Sequence, residues 1–303
     1  MTHPPVFKGV ATALATPFYK DGIDWTAFGR LIEFQLAHGV DALVVCGTTG
    51  ESATLSAEEQ ARAVDFCVRQ TRGRVPVIAG AGSNDTRRAC RLAERAAICG
   101  ADAILAVTPY YNKATASGLF EHYRAICESS EKPVIVYNVP SRTGVNITPE
   151  QYARLCELPG VAGIKEADAD IEKTVRTLAL CREKTYVYCG TDALFLPFLA
   201  LGGAGAVSVV SNAAPMRMKK LYSAFAAGDI KTALRIQDGL TATEKLLFCE
   251  PNPVPVKALL ARMGLCRPDV RLPLTEMEKE NARKLFAAAE EIIKSKDAVT
   301  EKE

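Results

Sequence analysis

Short apolar runs rich in β-branched residues alternate with amphipathic stretches along most of the chain. The runs VATAL (10–14), ALVV (42–45), VPVIA (75–79), AILAV (103–107), VIVYN (134–138), VAGIK (161–165), YVYC (186–189) and GAVSV (205–209) predict strands. Segments of helical period fill the intervals near 24–38, 57–71, 86–99, 116–130, 149–157, 171–182, 192–201 and 215–227. Boundary signals support several of these helices. Ser56 with Glu59, Thr148 with Gln151 and Thr275 with Glu278 each have capping-box spacing, and Pro149 stands at a first helical position. Gly39 and Gly100 stand where helices should stop.

Eight strands alternating with eight helices predict a closed parallel (β/α)₈ barrel of the TIM type. An open doubly wound sheet would place a glycine-rich phosphate loop after its first strand. GAGSND (80–85) supplies only two of the three glycines of that fingerprint, and no P-loop sequence is present. Beyond residue 228 the strand pattern ends, and 229–247, 254–263 and 275–297 read as helices. The expected organisation is a barrel over 1–228 and a small all-helical appendage over 229–303.

Composition narrows the function classes. Apolar residues make up 48% of the 303 positions and charged residues 24%, as in a soluble globular enzyme. A net charge of +2, from 37 basic and 35 acidic side chains, gives no reason to expect nucleic acid or an anionic membrane as partner. The ten cysteines include no C-x-x-C pair and mostly sit in apolar runs. They read as buried reduced thiols of a cytoplasmic protein rather than as disulfides or a zinc site. The three histidines, His3, His38 and His122, are scattered, so no metal centre is expected. The N-terminus lacks the pattern of a signal peptide. Residues 193–216 carry no charge, but Pro197, Gly202, Gly203 and Gly205 interrupt them. A helix, a glycine turn and a buried strand account for that stretch better than a membrane span.

In such a barrel the chemistry belongs at the C-terminal ends of the strands. The second strand runs into GTTGES (47–52), the fourth into TPYYN (108–112) and the fifth into YNVPSRTG (137–144). The sixth ends in Lys165-Glu166 and the seventh in Gly190-Thr191-Asp192. No histidine and no paired carboxylates stand there. A lysine in an apolar barrel has its ammonium form disfavoured and can act as an amine nucleophile, although a strand-end lysine can equally reach solvent. Tyr137 closes a neighbouring strand and can shuttle protons, or simply pack. GTTG offers backbone amides and hydroxyls suited to a carboxylate, or is an ordinary turn. Arg142 can clamp a carboxylate bidentately, or remain a solvated charge. Glu51 and Glu166 are read as structural.

Taken together, GTTGES, TPYYNK, YNVPSRTG, GIKEA and NPVPVK (252–257) resemble the dihydrodipicolinate synthase/N-acetylneuraminate lyase family over essentially the whole chain. The resemblance implies a class I lyase that needs no cofactor. Lys165 would form an imine with pyruvate and Tyr137 would transfer protons. Thr48 would link Tyr137 to Tyr111, which would come from a neighbouring subunit. Thr49 would hold the pyruvate carboxylate, Gly190 and Val207 would line the pocket, and Arg142 would bind the second substrate. The arginine of SRTG implies that this substrate is L-aspartate 4-semialdehyde rather than a keto-deoxy sugar acid or a sialate, in the route to diaminopimelate and lysine. The family also implies a homotetramer made of two tight dimers. Ser52, Ala53, Asn84 and Tyr110 match positions at which many members bind L-lysine as inhibitor. Arg88 stands where a glutamate usually meets the inhibitor's ammonium, and Ala57 and Gln60 stand at frequent histidine positions. Weak or absent lysine inhibition is therefore expected.

Two other readings stay open on the sequence. A pyridoxal-phosphate barrel enzyme would also use a lysine imine, but no phosphate cradle is evident. A non-catalytic keto-acid sensor would have little reason to keep Lys165, Tyr137, Thr48, Thr49 and Arg142 together.

Overall fold

The computed structural model describes residues 4–295. His3 and the end of the helix expected to reach residue 297 lie outside the described residues. Eight parallel strands form one closed barrel: β1 (Gly9–Ala13), β2 (Ala42–Val45), β3 (Val77–Gly80), β4 (Ala103–Val107), β5 (Val134–Asn138), β6 (Val161–Glu166), β7 (Tyr186–Cys189) and β8 (Gly205–Ser208). Each strand pairs with its successor, and β1 closes the ring against both β8 and β2. The chain is thus a (β/α)₈ barrel, as the alternation predicts.

Both strand faces are buried, which is why the strands read as continuous apolar runs. Alternate residues divide between two cores. Leu43 and Val45 of β2 face the shell shared with the helices, whereas Ala42 and Val44 face the barrel interior. The interior also holds Ala11, Ala13, Ala103, Ile135, Tyr137, Tyr188 and Val207. Many of these are small, which leaves room for a few long side chains. Phe7 plugs the lower end, its ring stacked on Tyr188 at 4.3 Å, and its carbonyl accepts the Tyr188 hydroxyl at 3.0 Å. A Cβ on Gly163 would come within 2.9 Å of the Tyr188 ring, so the missing side chain makes that plug possible.

The crossover helices are α1 (Trp25–Ala37), α2 (Ala57–Thr71), α3 (Thr86–Ile98), α4 (Ala116–Ser130), α5 (Pro149–Leu155), α6 (Ile171–Cys181), α7 (Phe195–Ala200) and α8 (Pro215–Ala226). Ser56 and Thr148 form the expected reciprocal capping boxes. Asp24, Asp85, Thr115 and Asp170 cap four more helices by accepting backbone N–H groups, each worth about 1 kcal/mol. Gly39 and Gly100 follow helix ends at φ of +74° and +87°, where a side chain would be strained. The uncharged stretch 193–216 contains α7, a turn through Gly202–Gly203, and β8. No helix among the described residues is long and apolar enough to cross a membrane.

After α8 come α9 (Ile230–Leu246), α10 (Val254–Arg262), α11 (Lys279–Ala288) and α12 (Glu290–Lys294). The structure departs from expectation here. Thr275 and Glu278 form no capping box: α11 begins at Lys279, and its cap residue is Glu278, whose side chain makes no capping hydrogen bond. Pro273 and Leu274 instead run across the barrel mouth, where they line a cavity. A second departure concerns sulfur. Cys46, Cys67, Cys181 and Cys189 are buried thiols, but five others are half-buried and Cys249 is exposed.

Candidate active site

Register brings the first two residues of the site together. Tyr137 of β5 pairs with Lys165 of β6, so both side chains leave the sheet on the inner face. Both are 6% exposed. The Lys165 amine lies over the Tyr137 ring, 4.1 Å from its centroid. Glu166, one residue on, points to the opposite face by strand alternation. There it accepts Asn138 Nδ2, Tyr152 Oη and the backbone N–H of Asp168, each at 2.9 Å, and pairs with Lys173 at 3.0 Å. Its carboxylate is fully committed to holding β5, α5 and α6 together.

The chain has a second buried lysine, and the contrast is informative. Lys257 of α10 is completely buried, but its ammonium meets Glu51 Oε1 at 2.7 Å and the Phe18 ring at 4.2 Å. Burial pulls the Lys257 pKa below its ordinary value, and the Glu51 carboxylate opposes that fall. Glu51 Oε2 also accepts the Arg271 backbone N–H at 3.0 Å. The pair is a strut between the loop after β2 and the appendage, and removing one partner would strand a buried charge. No carboxylate is salt-bridged to Lys165 among the described residues, which leaves its amine open to a carbonyl carbon.

A cavity of about 380 Å³ opens at this end of the barrel. Thr48, Ser52, Ala53, Gln60, Arg88, Tyr110, Tyr137, Arg142, Asn252, Pro253 and Leu274 are among the residues that line it. Lys165, Thr49, Gly190, Val207 and Asn84 are not in its lining. Tyr137 connects the cavity to the lysine, since it lines the one and underlies the other. With Glu51 neutralised by Lys257, the charges on the wall left without an ion-pair partner among the described residues are the guanidinium groups of Arg142 and Arg88. The cavity therefore favours anions.

The loop after β2 places Thr49 at 2% exposure, and its Oγ1 accepts Asn252 Nδ2 at 2.9 Å. Arg142, on a helical turn (Pro140–Thr143), donates from Nη2 to the Asn252 carbonyl at 3.0 Å. Val207 stands in the barrel interior with Tyr137. Gly190 lies so close to Lys165 that a Cβ there would be 3.0 Å from the lysine Cε. Tyr111 is 91% exposed with φ at +66° and does not reach the cavity of its own chain. No hydrogen bond joins Thr48, Tyr137 and Tyr111 within one chain among the described residues. Asn84 instead gives its carbonyl to Asn112 Nδ2 at 3.0 Å. Among the described residues, no cluster of three His, Cys, Asp or Glu side chains could hold a metal ion.

Two residues appeared in the sequence reading only within motifs, with no role assigned to them. Asp192, just past β7, is buried, and its Oδ2 accepts the backbone N–H groups of Val209 and Val210 at 2.9 and 3.0 Å. Burial raises its pKa, while those amides, the Ser208 hydroxyl and the Lys165 charge oppose the rise. Its signal was present, as the single acid in an otherwise uncharged stretch at a strand end. Asn252 comes from the appendage and touches both Thr49 and Arg142. Local pattern gives no hint of contacts that span 203 and 110 residues.

Comparison with known proteins fits this geometry. Residues 6–292 match the model of the dihydrodipicolinate synthetase family. A 4-hydroxy-tetrahydrodipicolinate synthase of Syntrophus aciditrophicus is 49% identical over 280 residues, covering 92% of this chain and 96% of the relative. The crystal structure of a dihydrodipicolinate synthase from Thermotoga maritima superposes with a TM-score of 0.93 at 41% identity, covering 95% of this chain and 99% of the other. A chloride-inhibited dihydrodipicolinate synthase from Acinetobacter baumannii, solved with pyruvate, superposes with a TM-score of 0.92 at 40% identity, over 94% and 98% of the two chains.

Proposed function

The chain belongs to the dihydrodipicolinate synthetase family, and from that premise we propose that it condenses pyruvate with L-aspartate 4-semialdehyde to 4-hydroxy-tetrahydrodipicolinate through an imine on Lys165. The observation that carries this reading is the buried Lys165 amine, salt-bridged to no carboxylate among the described residues and held 4.1 Å over the Tyr137 ring at the mouth of the barrel.

The steps follow from the groups in place. The Lys165 amine adds to the pyruvate carbonyl carbon, and loss of water leaves the imine. Loss of a methyl proton gives an enamine, whose carbon attacks the aldehyde carbon of the second substrate and forms the new C–C bond. The amine of that substrate then closes on the imine carbon, and the departing C–N bond returns Lys165 as a free amine. The covalent imine divides one difficult bond formation into easier steps. Tyr137 takes up and returns the protons, with Thr48 beside it on the cavity wall. Thr49 holds the pyruvate carboxylate, and Gly190 and Val207 shape the space around the imine. Arg142 meets the carboxylate of the semialdehyde with its planar fork.

Tyr111 completes the proton path from a second subunit in this reading. A large aromatic side chain left 91% exposed beside the cavity supports that, as part of a homotetramer of paired dimers. Sedimentation of the intact protein, together with loss of activity in Tyr111→Phe, tests it. A cytoplasmic location suits ten unpaired thiols, four of them buried.

Turnover decides between this substrate pair and the aldol cleavage of a keto-deoxy sugar acid or N-acetylneuraminate. Activity is expected with pyruvate plus aspartate semialdehyde and not with the sugar acids. Borohydride added with pyruvate should label Lys165, leave Lys257 unmodified, and give no label in inactive Lys165→Ala. A label elsewhere, or none, would remove the imine from the mechanism.

A further inference from the structure

The structure assigns Asn252 as a positioning residue that ties the two substrate-binding residues, Thr49 and Arg142, to the helical appendage, with its side chain serving the pyruvate side alone. The inference rests on the pyruvate-imine reading and goes beyond it, because it divides one residue between two substrates.

Asn252 is 6% exposed and lines the cavity at the head of α10. Its side-chain N–H donates to Thr49 Oγ1 at 2.9 Å. A hydroxyl that accepts from an amide must direct its own proton elsewhere. No other hydrogen bond holds the Thr49 hydroxyl among the described residues, so its proton stays free for an incoming carboxylate oxygen. The Asn252 side chain thus fixes the polarity of Thr49 and makes it a donor. The Asn252 main chain does something different: its carbonyl accepts Arg142 Nη2 at 3.0 Å and fixes the direction of the guanidinium. Truncating the side chain leaves that carbonyl in place. The remaining side-chain atom, Oδ1, is buried without a hydrogen-bond partner among the described residues. A buried unpartnered acceptor is costly, and an asparagine kept here at that cost is consistent with service to the site rather than to the fold.

Replacing Asn252 therefore separates the substrates. Asn252→Ala removes the donor and should raise the KM for pyruvate about five- to tenfold, the value of one lost neutral hydrogen bond. Asn252→Asp keeps the shape but presents only acceptors, so the Thr49 proton turns toward the new carboxylate. Its pyruvate KM should rise further than that of the alanine variant. For both, the KM for aspartate semialdehyde should stay within about twofold, because the carbonyl-to-Arg142 contact survives. Thr49→Val should raise the pyruvate KM by itself, and adding Asn252→Ala to it should cost little more, because the two act as one unit.

The readouts are steady-state KM values for each substrate and borohydride trapping at graded pyruvate concentrations. An unchanged pyruvate KM in Asn252→Ala and Asn252→Asp overturns the proposal. So does a parallel rise in both KM values, which would mean that the whole segment had moved, and so does full additivity with Thr49→Val. Failure of the wild-type protein to trap pyruvate at all would instead overturn the imine reading on which the proposal rests.

Discussion

Gly190 and Lys165 stand so close that a Cβ on the glycine would lie 3.0 Å from the lysine Cε, 2.7 Å from the Ala167 Cβ and 2.9 Å from the Glu166 carbonyl. Two of these three neighbours are a backbone atom and a Cβ that cannot rotate away. Gly190→Ala must therefore shift either β7 or the lysine side chain. Overpacking of this kind costs about 1–3 kcal/mol of stability. A displacement approaching 1 Å at a nucleophile can cost on the order of 10²-fold in rate. We expect Gly190→Ala to fold with a lowered Tm and to form the pyruvate imine far more slowly than the wild type. Trapping measured over time checks this, and an unimpaired rate would mean that the lysine stem has room the structure does not show.

Much of this was legible before the structure, for a physical reason. Strands buried on both faces have to be apolar throughout, so the eight runs stand out, and a closed barrel gathers their C-terminal ends in one place. Lys165 and Tyr137 end adjacent strands, which sufficed to bring them together. What was not legible depends on non-local contact or on very short elements. The hairpin of Phe18–Tyr19 with Gly22–Ile23 has two residues per strand, too few to establish a period. Thr275 and Glu278 have capping-box spacing, yet the chain at Pro273 and Leu274 packs across the cavity and the helix starts later. Asn252 meets Thr49 across 203 residues of sequence, and no local pattern encodes such a meeting.

Arg142 has five N–H donors in a planar fork, and one of them, on Nη2, is already spent on the Asn252 carbonyl. Lysine would keep the charge but lose the fork that serves both partners at once. Arg142→Lys should raise the KM for aspartate semialdehyde by about tenfold or more, in line with a charged hydrogen bond of about 1.5–3 kcal/mol. The KM for pyruvate should hardly change. Saturation curves for each substrate decide, and an equal effect on both would place Arg142 outside the second-substrate site.

Arg88 faces the same cavity as Ser52, Ala53 and Tyr110 and is exposed on α3. An amino-acid ammonium approaching this wall meets a cation rather than a carboxylate. L-lysine at about 1 mM should therefore leave the rate nearly unchanged, by simple charge opposition. Arg88→Glu reverses the sign and should make inhibition by lysine, measured relative to each protein's own uninhibited rate, stronger than in the wild type. Inhibition curves for the two proteins test this. Strong inhibition of the wild type at sub-millimolar lysine would show that this arginine does not face the inhibitor.

Glu244 of α9 is buried against Asp192, and its carboxyl is pushed up to about 7. Burial is the larger cause and the Asp192 charge adds to it, while the Gln237 amide, donating to Oε1 at 2.9 Å, opposes both. The native state therefore binds this proton more tightly than the unfolded chain, whose glutamate titrates near 4.5. The resulting stabilisation is complete below about pH 4.5 and is lost as pH rises through about 7, beyond which the ionised carboxylate is a constant burden. Glu244→Gln removes that burden and keeps an acceptor for Gln237. The variant should match the wild type near pH 4.5 and exceed it at pH 8 by on the order of 2 kcal/mol in denaturant unfolding. Asp192 titrates in both proteins, so much of its own contribution cancels in the difference. A stability gap that does not change between these two pH values would mean that Glu244 keeps an ordinary carboxylate pKa, and that the appendage carries no buried proton beside the barrel.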